Sequence, residues 1–440
     1  MSEGSELVAW LFTLIAAILM YWLPRKWAIM PLFVVGFFLP LAAEVLIFGL
    51  HFPMIRLLIL VGLARLFLRP PGQTSKLDAI SKAMILWVLA TVVTYTLLWL
   101  TWGALINRLG VAFNALGIYF LVRAFCRDSG DIERVIKVLA FVSIGVAISM
   151  LVERETGRNA FAVFGGVPAV TVVREGRLRA QGAFLHPIMA GTFGASLFPL
   201  FVFLGWGSRK HRVLALVGVT AATIITVASA SSGPALSYLA GIVGLCAWPL
   251  RKHMRAVRWG MLLSVISLHL VMKAPVWALI GRVDVVPGST AYHRQVLIDY
   301  FVQHLGDWWL VGTRSTDDWG PSSLILGDVT NQFLRIGVDG GLITLILFIF
   351  LLSSCFGGLG RARKVFEPQP AMGKLCWALG VSLFVAVVAF IGVSFFDQLI
   401  VVFYSVLALI SRLTSMAAQF VDREREKSRT HRLRQLASTT

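Results

Sequence analysis

A series of long apolar runs, separated by short polar segments, divides the whole chain. Each run has about 17–25 residues, and a helix of that length crosses the hydrocarbon core of a bilayer, which is about 30 Å thick. With 58% hydrophobic and 14% charged residues, the chain of 440 residues has too little polar surface to cover a water-soluble globule. The pattern predicts an all-α polytopic membrane protein.

About 12–13 of these runs predict transmembrane helices, which we number in chain order. They cover residues 7–23, 27–50, 52–68, 84–105, 109–125, 135–151, 187–206, 213–229, 234–250, 260–278, 341–356, 375–395 and 399–416. The second and third predicted spans form a hairpin that turns at His51.

Short basic segments give the expected orientation, because Lys and Arg close to span ends are retained on the cytoplasmic side of a membrane. Six such segments each follow an odd-numbered span: residues 25–26, 69–82, 127–137, 208–212, 251–255 and 361–364. The net charge of +18 is spread over the chain and is not gathered on one soluble domain, so we expect no nucleic-acid partner. The N-terminus and the segments that follow even-numbered spans are expected outside.

This orientation divides the chain into six regions. Three contain the N-terminal, central and C-terminal transmembrane helices, at residues 1–152, 187–280 and 332–416. Two long segments, residues 153–186 and 281–331, are expected on the outer face, and residues 417–440 form a basic cytoplasmic tail. The four cysteines show no paired spacing, so neither a disulfide framework nor a zinc site is indicated.

The first outer segment, residues 153–186, is rich in arginine. Arg174, Arg177 and Arg179 lie close together, shortly before His186. The planar guanidinium group has donors suited to phosphate oxygens, and it stays charged when buried. Any single arginine here is equally well explained by contact with anionic lipid headgroups. The group as a whole favours a phosphate-bearing ligand.

The second outer segment, residues 281–331, adds titratable and aromatic side chains. A short helix at the membrane surface is predicted around residues 289–305, with His293 and His304 as candidate general bases. Interfacial placement is the alternative for each histidine. Trp308, Trp309 and Trp319 suit either an interfacial belt or a surface on which sugar rings stack.

The end of this segment continues directly into the next span. Asp328 and Thr330 are natural helix caps, which alone would explain their presence. The polar residues nevertheless continue at intervals of three to four along one side of the helix, at Asn331, Gln332, Arg335 and Asp339. The spacing favours a stripe that faces a cavity near the outer surface.

The order of these features resembles the O-antigen ligase and polysaccharide polymerase superfamily of bacterial membrane glycosyltransferases. The resemblance covers residues 140–350. The matching features are an Arg/Gly/His-Pro motif at 177–187, a small-residue turn at 229–233, Arg294 before an outer helix, Trp-Trp-Leu-Val-Gly at 308–312, and Asn331-x-Phe-Leu before Gly340-Gly341. The chain departs from the family at Thr330, where many members have His, and Ser232-Gly233 stands where an Arg often follows the serine.

The resemblance implies a type C glycosyltransferase-like fold in the bacterial inner membrane, with a periplasmic active site. The implied donor is an undecaprenyl-diphosphate-linked glycan and the acceptor a glycan or a lipid, with no cofactor and no metal. Membrane lipids, chain-length regulators and flippase proteins are the other partners that such an activity implies.

The residue roles combine this resemblance with the chemistry of the side chains. We expect Arg177, Arg179 and Arg294 to bind the diphosphate, with Arg314 or Arg335 in support. A hydroxyl is not a base near neutral pH, so Thr330 does not replace the family's histidine. The candidate catalytic residues are therefore His293, Asp328, Asn331 and His186, with Glu153 as a further possible base.

A transporter or flippase of lipid-linked oligosaccharide is the competing function. Glu44 and Arg56 lie at similar depths of two neighbouring predicted spans, where a charged pair would fit a transport path or a structural contact. The sequence shows no internal repeat and no matched pair of broken helices, which disfavours transport. A non-catalytic scaffold leaves the outer arginines unexplained. Within the enzyme interpretation, polymerase and ligase both remain open.

Overall fold

The computed structural model describes residues 3–41, 43–47, 50–70, 77–207, 209–282, 291–321 and 326–437. Parts of the predicted basic and outer segments lie outside these ranges, namely residues 71–76, 208, 283–290 and 322–325, as does the end of the predicted tail, residues 438–440. The described chain is helical almost throughout, with only short strands.

The helices in chain order are α1 (Glu3–Trp22), α2 (Met30–Phe38), α3 (Met54–Leu68), α4 (Ala79–Trp99), α5 (Trp102–Phe125), α6 (Ser129–Thr156), α7 (Pro187–Gly207), α8 (Arg212–Ala228), α9 (Ser232–Cys246), α10 (Met254–Val271), α11 (Ala291–Gln303), α12 (Leu305–Trp308), α13 (Gln332–Val365), α14 (Pro370–Phe390) and α15 (Leu399–Ala437). Two antiparallel hairpins pair β1 (Glu44–Ile47) with β2 (Leu50–Pro53) and β3 (Val172–Arg174) with β4 (Arg177–Arg179).

Within the described residues, ten helices are long and apolar enough to cross a membrane: α1, α4, α5, α6, α7, α8, α10, α13, α14 and α15. Helices α3 and α9 correspond to two more of the predicted spans but have only 15 residues each. The chain is therefore an all-α polytopic membrane protein, as the apolar runs predict.

The prediction of one spanning helix over residues 27–50 is wrong. Helix α2 ends at Phe38, and Leu39 is extended at φ −102° and ψ 125°. A residue that precedes proline is sterically excluded from helical geometry, and Pro40 follows here. The β1–β2 hairpin then takes the place of the rest of the predicted helix. Apolar composition alone does not separate a buried helix from such a segment.

The described residues between α1 and α3 nevertheless lead back to the end of the bundle where α1 begins. Arg65, near the end of α3, donates hydrogen bonds to the carbonyl oxygens of Met20 and Leu23 at the end of α1. Helices α1 and α3 therefore finish on the same side, and the segment between them leads back to the opposite side. Leu39, on that segment, accepts a hydrogen bond from Gln398 (3.4 Å) in the loop before α15.

The predicted basic segments lie together at one end of the bundle. The contacts that connect them are Arg25–Asp131 (2.8 Å), His211–Glu133 (3.1 Å), Arg412 to the Arg127 carbonyl (2.6 Å), Ser411–Asp78 (2.8 Å), Lys374 to the Trp206 carbonyl (3.0 Å) and Lys252–Glu367 (3.5 Å). The loops between the opposite helix ends, including both long outer segments, consequently share the other end.

Helix α7 lies at the centre of the half that carries these outer segments. It packs against α6, α8, α9 and α14 and is the most buried of the candidate spans. Gly194 permits close packing with α8, because a Cβ atom there would lie 2.6 Å from the Ala222 carbonyl oxygen, and Gly191 permits close packing with Ser229 and Pro234 after α8. The N-terminus of α7, which follows His186, is thereby fixed close to the loop that joins α8 to α9.

Candidate functional site

The arginine-rich segment forms a hairpin at the outer end of the bundle. Strands β3 and β4 pair antiparallel with Arg174 opposite Arg177, and the turn contains Glu175 and Gly176 at φ 49° and 71°. Two positive φ angles are characteristic of the tight turns that match strand twist. Residues 177 and 179 project from the same face of β4, because side chains alternate along a strand.

Arg179 lies against the small-residue turn between α8 and α9. Its Nη2 donates a hydrogen bond to Ser231 Oγ (2.7 Å), and Ser231 Oγ donates to the Ser229 carbonyl (2.8 Å). The backbone N–H of Ala180 donates to the Ala228 carbonyl (3.1 Å), which joins the end of β4 to the same turn. The predicted arginine motif and the predicted turn are thus in direct contact.

Arg294 reaches the same turn from the second outer segment. It lies on α11, and its Nη2 is 3.6 Å from the position that a Cβ atom would take at Gly233. On its other side, the corresponding position at Gly392 is 3.0 Å from Nε and 3.1 Å from Cζ of Arg294. Both glycines leave room for the guanidinium group, so two arginines from separate segments meet the 231–233 turn.

The two guanidinium groups are buried and have incomplete hydrogen bonding. Arg179 is 5% exposed and Arg294 is 7% exposed. Within the described residues, no carboxylate forms an ion pair with either group, and neither Nε atom has a hydrogen-bond partner. Burial lowers the pKa of both groups, and nearby Arg174 lowers that of Arg179 further. Arg nevertheless remains protonated, so both positive charges persist in a poorly solvated position.

Arg177 takes a more exposed position on a cleft beside the turn. The cleft has a volume of about 550 Å³, and Arg154 from the end of α6 also lines it. Its remaining wall includes apolar side chains of α8 and α9. The three arginines that were predicted to bind diphosphate thus lie around the same turn, two of them buried and one at the cleft.

His186 is affected by the charges of these arginines and of a carboxylate from the second outer segment, Asp328. Burial, together with the positive charges of Arg179 and Arg174, lowers the pKa of His186 to about 4, and the charge of Asp328 opposes this change. Its Nδ1 accepts the backbone N–H of Ile188 (3.1 Å). The proton of the neutral imidazole is consequently on Nε2, which makes this atom a hydrogen-bond donor and not a base. Asp328, another of the predicted catalytic residues, lies within electrostatic range of His186.

A network of hydrogen bonds holds the loop before His186 in place. The Glu153 carboxylate is buried and accepts the backbone N–H groups of Gln181 (3.2 Å) and Gly182 (2.7 Å) and the hydroxyl of Thr171 (3.3 Å). Asn159 donates to the Gly182 carbonyl (2.8 Å). With its oxygens bonded in this way, Glu153 positions the loop and is not placed to receive a proton from a substrate.

Asp397 lies beside the site but is not among the residues predicted from the sequence. Its carboxylate accepts the backbone N–H of Leu185 (2.7 Å) and also those of Gln398 and Leu41, so it connects three loops beside His186. Burial raises the pKa of Asp397 to about 7, against the opposing effect of these N–H donors. The available signal was the polar pair Asp397-Gln398 between two apolar spans at the outer end.

Asn331 is the N-cap of α13. Its Oδ1 accepts the backbone N–H groups of Phe333 (2.9 Å) and Leu334 (3.3 Å), and its Nδ2 donates to the Ile391 carbonyl (3.1 Å). Gln332 accepts the backbone N–H of Phe395 (2.6 Å). These contacts tie α13 to the loop that contains Gly392, so Asn331 contributes to the site by positioning that loop.

Arg314 and Arg335 belong to a separate polar cluster at the outer ends of α4, α5 and α13. Arg314 donates to the Leu98 carbonyl (3.0 Å). Arg335 pairs with Asp339 (3.2 Å), and Asp339 also pairs with Arg108 (2.6 Å). The polar stripe that the sequence predicts on α13 is therefore used in contacts within the protein, and these two arginines do not join the group at the 231–233 turn.

The histidines and tryptophans of the second outer segment serve mainly to shape it. His293 is half-buried next to Arg294, and consecutive helical side chains point about 100° apart, so the two face different directions. His304 binds Asp307 (2.8 Å) and stacks on Trp319 at 5.0 Å between ring centres. Trp308 is buried and stacks on Phe301, whereas Trp309 is exposed.

No group of three or more His, Cys, Asp or Glu side chains converges within the described ranges in a way that would hold a metal ion. No protein-family model matches the sequence, and no curated protein is detectably similar to it. The function must therefore be inferred from the chemistry of the site.

Proposed function

We propose that the chain is a membrane glycosyltransferase that transfers glycan from a polyprenyl diphosphate carrier to a sugar hydroxyl. The expected carrier is undecaprenyl diphosphate, the expected location is the bacterial inner membrane, and the site would face the periplasm. The product would be an O-antigen or exopolysaccharide, made by a polymerase or attached by a ligase. The order of sequence motifs supports this class, and the geometry around the 231–233 turn supports its chemistry.

The observation that carries the proposal is a pair of buried arginines, Arg179 and Arg294, for which the described residues provide no carboxylate partner. A buried, unpaired charge is strongly unfavourable unless a ligand completes its hydrogen bonds. A diphosphate carries several negative oxygens and would accept N–H groups from both Arg179 and Arg294. Arg177 and Arg154 line the adjoining cleft with one carboxylate, Glu155, so the cleft adds a net positive charge. A singly charged headgroup would leave more of these donors unused.

The proposed reaction is a displacement at the anomeric carbon of the donor sugar. The acceptor hydroxyl oxygen forms a bond to this carbon, and the bond between the carbon and the diphosphate oxygen breaks. The electron pair leaves with the diphosphate, and Arg179 and Arg294 stabilise the negative charge where it develops. Diphosphate is a good leaving group, so stabilisation and alignment of the reactants account for most of the expected rate enhancement.

The hydroxyl proton requires an acceptor late in the reaction. Asp328 is an exposed carboxylate whose charge acts on His186, and we assign it this role. The neutral His186 would donate from Nε2 to an oxygen of the sugar or the diphosphate. His186 thus has a binding role, and Asp328 has the role of proton acceptor. With Asp328 in that role, the reaction does not need the histidine that many members of the resembled family have at the position of Thr330.

Transfer by purified protein in liposomes tests the proposal directly. We expect wild-type protein to extend or transfer the glycan of an added undecaprenyl-diphosphate donor without an ion gradient. Arg179→Ala and Arg294→Ala should each lower the rate by roughly 10²–10³-fold, as is typical when one donor to a developing charge is removed. Arg209→Ala, which removes an exposed arginine at the opposite end of the bundle, is the matched control. Normal transfer by both site variants would refute the assignment.

A transporter of the same lipid-linked glycans is the second candidate. Two interruptions favour it: the short α2 followed by a hairpin, and a non-helical residue, Gly341, inside α13. Interrupted helices are common around transport sites. Movement of the donor across the liposome membrane without any change in glycan length or attachment would support transport. New glycosidic bonds would support the enzyme.

Polymerase and ligase are distinguished by what accumulates when the chain is deleted from its host. A polymerase deletion should remove long glycan chains, and a ligase deletion should leave long chains on the carrier lipid. In either case, we expect the protein to work beside a flippase that supplies the donor, and a chain-length regulator is a further expected partner of a polymerase.

A further inference from the structure

The cleft beside Arg177 is lined by both charged and apolar side chains. Its lining contains two arginines and one carboxylate, Arg154, Arg177 and Glu155, together with the apolar side chains of Val227, Ala230 and Ala235. Its volume of about 550 Å³ lies within the range of small-molecule sites, about 300–1,000 Å³. Ser231, which binds the buried Arg179, also lines it. The cleft is therefore continuous with the turn where the two buried arginines meet.

The cleft lies at one end of the seam between α8 and α9, since Val227 of α8 and Ala235 of α9 both line it. Both helices pack mainly on α7 and contact each other much less. A hydrogen bond between Thr223 and Tyr238 (2.7 Å) joins them about one turn below the cleft, and Tyr238 packs on Phe198 of α7 with 4.3 Å between ring centres. This bridge therefore separates the seam from α7.

Exposed apolar side chains continue from the cleft along both helices. Val227 is 59% exposed on α8, and Leu239 is 52% exposed on α9. Ile242 follows Ala235 after seven residues, which places both on the same side of α9. Because α8 is a candidate membrane span, this surface faces the hydrocarbon region. A long apolar chain can therefore lie along it without leaving the bilayer.

We propose that the cleft holds the first isoprene units of the polyprenyl chain, with the remaining chain in the seam between α8 and α9. This inference rests on the proposed function and adds the route by which the donor reaches the site. Arg154 and Arg177 lie against the diphosphate, which brings it towards Arg179 and Arg294. The Thr223–Tyr238 bridge limits how far the polyprenyl chain can enter between α8 and α9 towards α7. Lipid tails are as apolar as the seam, so moving the polyprenyl chain from lipid into the seam adds no hydrophobic stabilisation. The seam instead fixes the shape and direction of the bound chain.

The first test uses a photoreactive polyprenyl diphosphate with wild-type protein in liposomes. We expect cross-links on α8 and α9, identified by mass spectrometry, and suppression of these cross-links by excess undecaprenyl diphosphate. Excess phosphatidylglycerol should suppress them much less. Equal suppression by both lipids would mean a general phospholipid site and would overturn the inference. Cross-links confined to other helices would overturn it too.

The second test fills the cleft. Ala235→Trp should abolish the α8 and α9 cross-links and lower glycan transfer at least tenfold. Val213→Trp, on a 77% exposed position of α8 at the opposite end of the bundle, is the matched control. Unchanged transfer by Ala235→Trp, with an active wild-type protein, would refute the seam and leave the proposed function intact. No transfer and no competed cross-linking by wild-type protein would refute the proposed function itself.

Discussion

Arg179 and Arg294 have the same charge as the exposed arginines of the outer segments, but their surroundings differ. Electrostatic interactions are several times stronger in a buried, low-dielectric position than in water. Hydrogen bonds from charged donors are also about twice as strong as those between neutral groups. A bound diphosphate would therefore gain more from these two residues than from Arg177. The sequence indicates the arginine cluster but contains no signal for which members become buried.

Gly392 should be required for the position of Arg294. A Cβ atom there would lie 3.0 Å from Arg294 Nε, so the guanidinium group must move in Gly392→Ala. A misplacement of about 1 Å can lower a rate by about 10²-fold, so for a shift of a few tenths of an ångström we expect a decrease of roughly two- to fivefold. Gly233→Ala is the comparison, because its Cβ atom would make an ordinary 3.6 Å contact with the same group. Equal rates for the two variants in the liposome assay would argue against this positioning role.

Asp397 should make stability depend on pH. Its pKa in the folded protein is raised to about 7, above the value of about 4 expected in an unfolded chain, so the folded state binds the proton more tightly. This stabilisation is fully present below about pH 4 and is lost as the pH rises through about 7. Asp397→Asn cannot titrate and tolerates the φ of 53°.

We therefore expect the melting temperature of Asp397→Asn to increase relative to wild-type protein between about pH 5 and about pH 8. Thermal unfolding followed by tryptophan fluorescence in detergent at both pH values measures the difference. If the melting-temperature difference between the variant and the wild-type protein does not change with pH, Asp397 is ionised at both pH values. Its backbone N–H donors favour that ionised state.

The sequence predicts a helix well where the length of an apolar run alone determines it. Runs of apolar residues give the ends of α7 and α8 within one residue and those of α4 to α6 within seven residues, because length and apolarity decide whether a helix can span a bilayer. Segment 27–50 has the same composition, but Pro40 and the β1–β2 pairing interrupt the helix. The contact between β4 and the 231–233 turn depends on long-range packing, which no local pattern reports.

A glycine junction fixes the second outer segment on α13. Gly341 has φ 78° and ψ −178°, a conformation that is almost restricted to glycine, and a Cβ atom there would lie 2.4 Å from the Leu310 carbonyl oxygen. The backbone N–H groups of Leu342 and Thr313 donate to the carbonyl oxygens of Trp309 and Val338, both at 2.8 Å.

Gly341→Ala should break this junction and destabilise the protein, by about 1–3 kcal/mol for the backbone conformation alone. We expect a lower melting temperature and faster proteolysis of the segment that joins α11 to α13. Gly360→Ala, in the same helix with no atom within 4 Å of its added Cβ, is the matched control. A melting temperature equal to that of the control would mean that the junction contributes little to stability.

The bundle has two chemically different ends. The basic segments and their ion pairs occupy one, and the 231–233 turn with its arginines occupies the other. A diphosphate site at the second end is useful only if that end faces the compartment where the glycan is presented. The basic loops predict that it faces outward, because short Lys- and Arg-rich loops remain in the cytoplasm. Function and topology are thus linked in this chain.

Cysteine labelling in intact cells tests this orientation. Cys126, Cys355 and Cys376 are buried, so replacing the exposed Cys246 by Ser gives a background with little reactivity. In that background, we expect Arg177→Cys to react with a membrane-impermeant thiol reagent and Arg361→Cys to react only after the membrane is permeabilised. Both positions are exposed on the folded protein, so accessibility reports the side of the membrane. The reverse labelling pattern would place the buried arginines on the cytoplasmic side and would exclude transfer to a periplasmic acceptor.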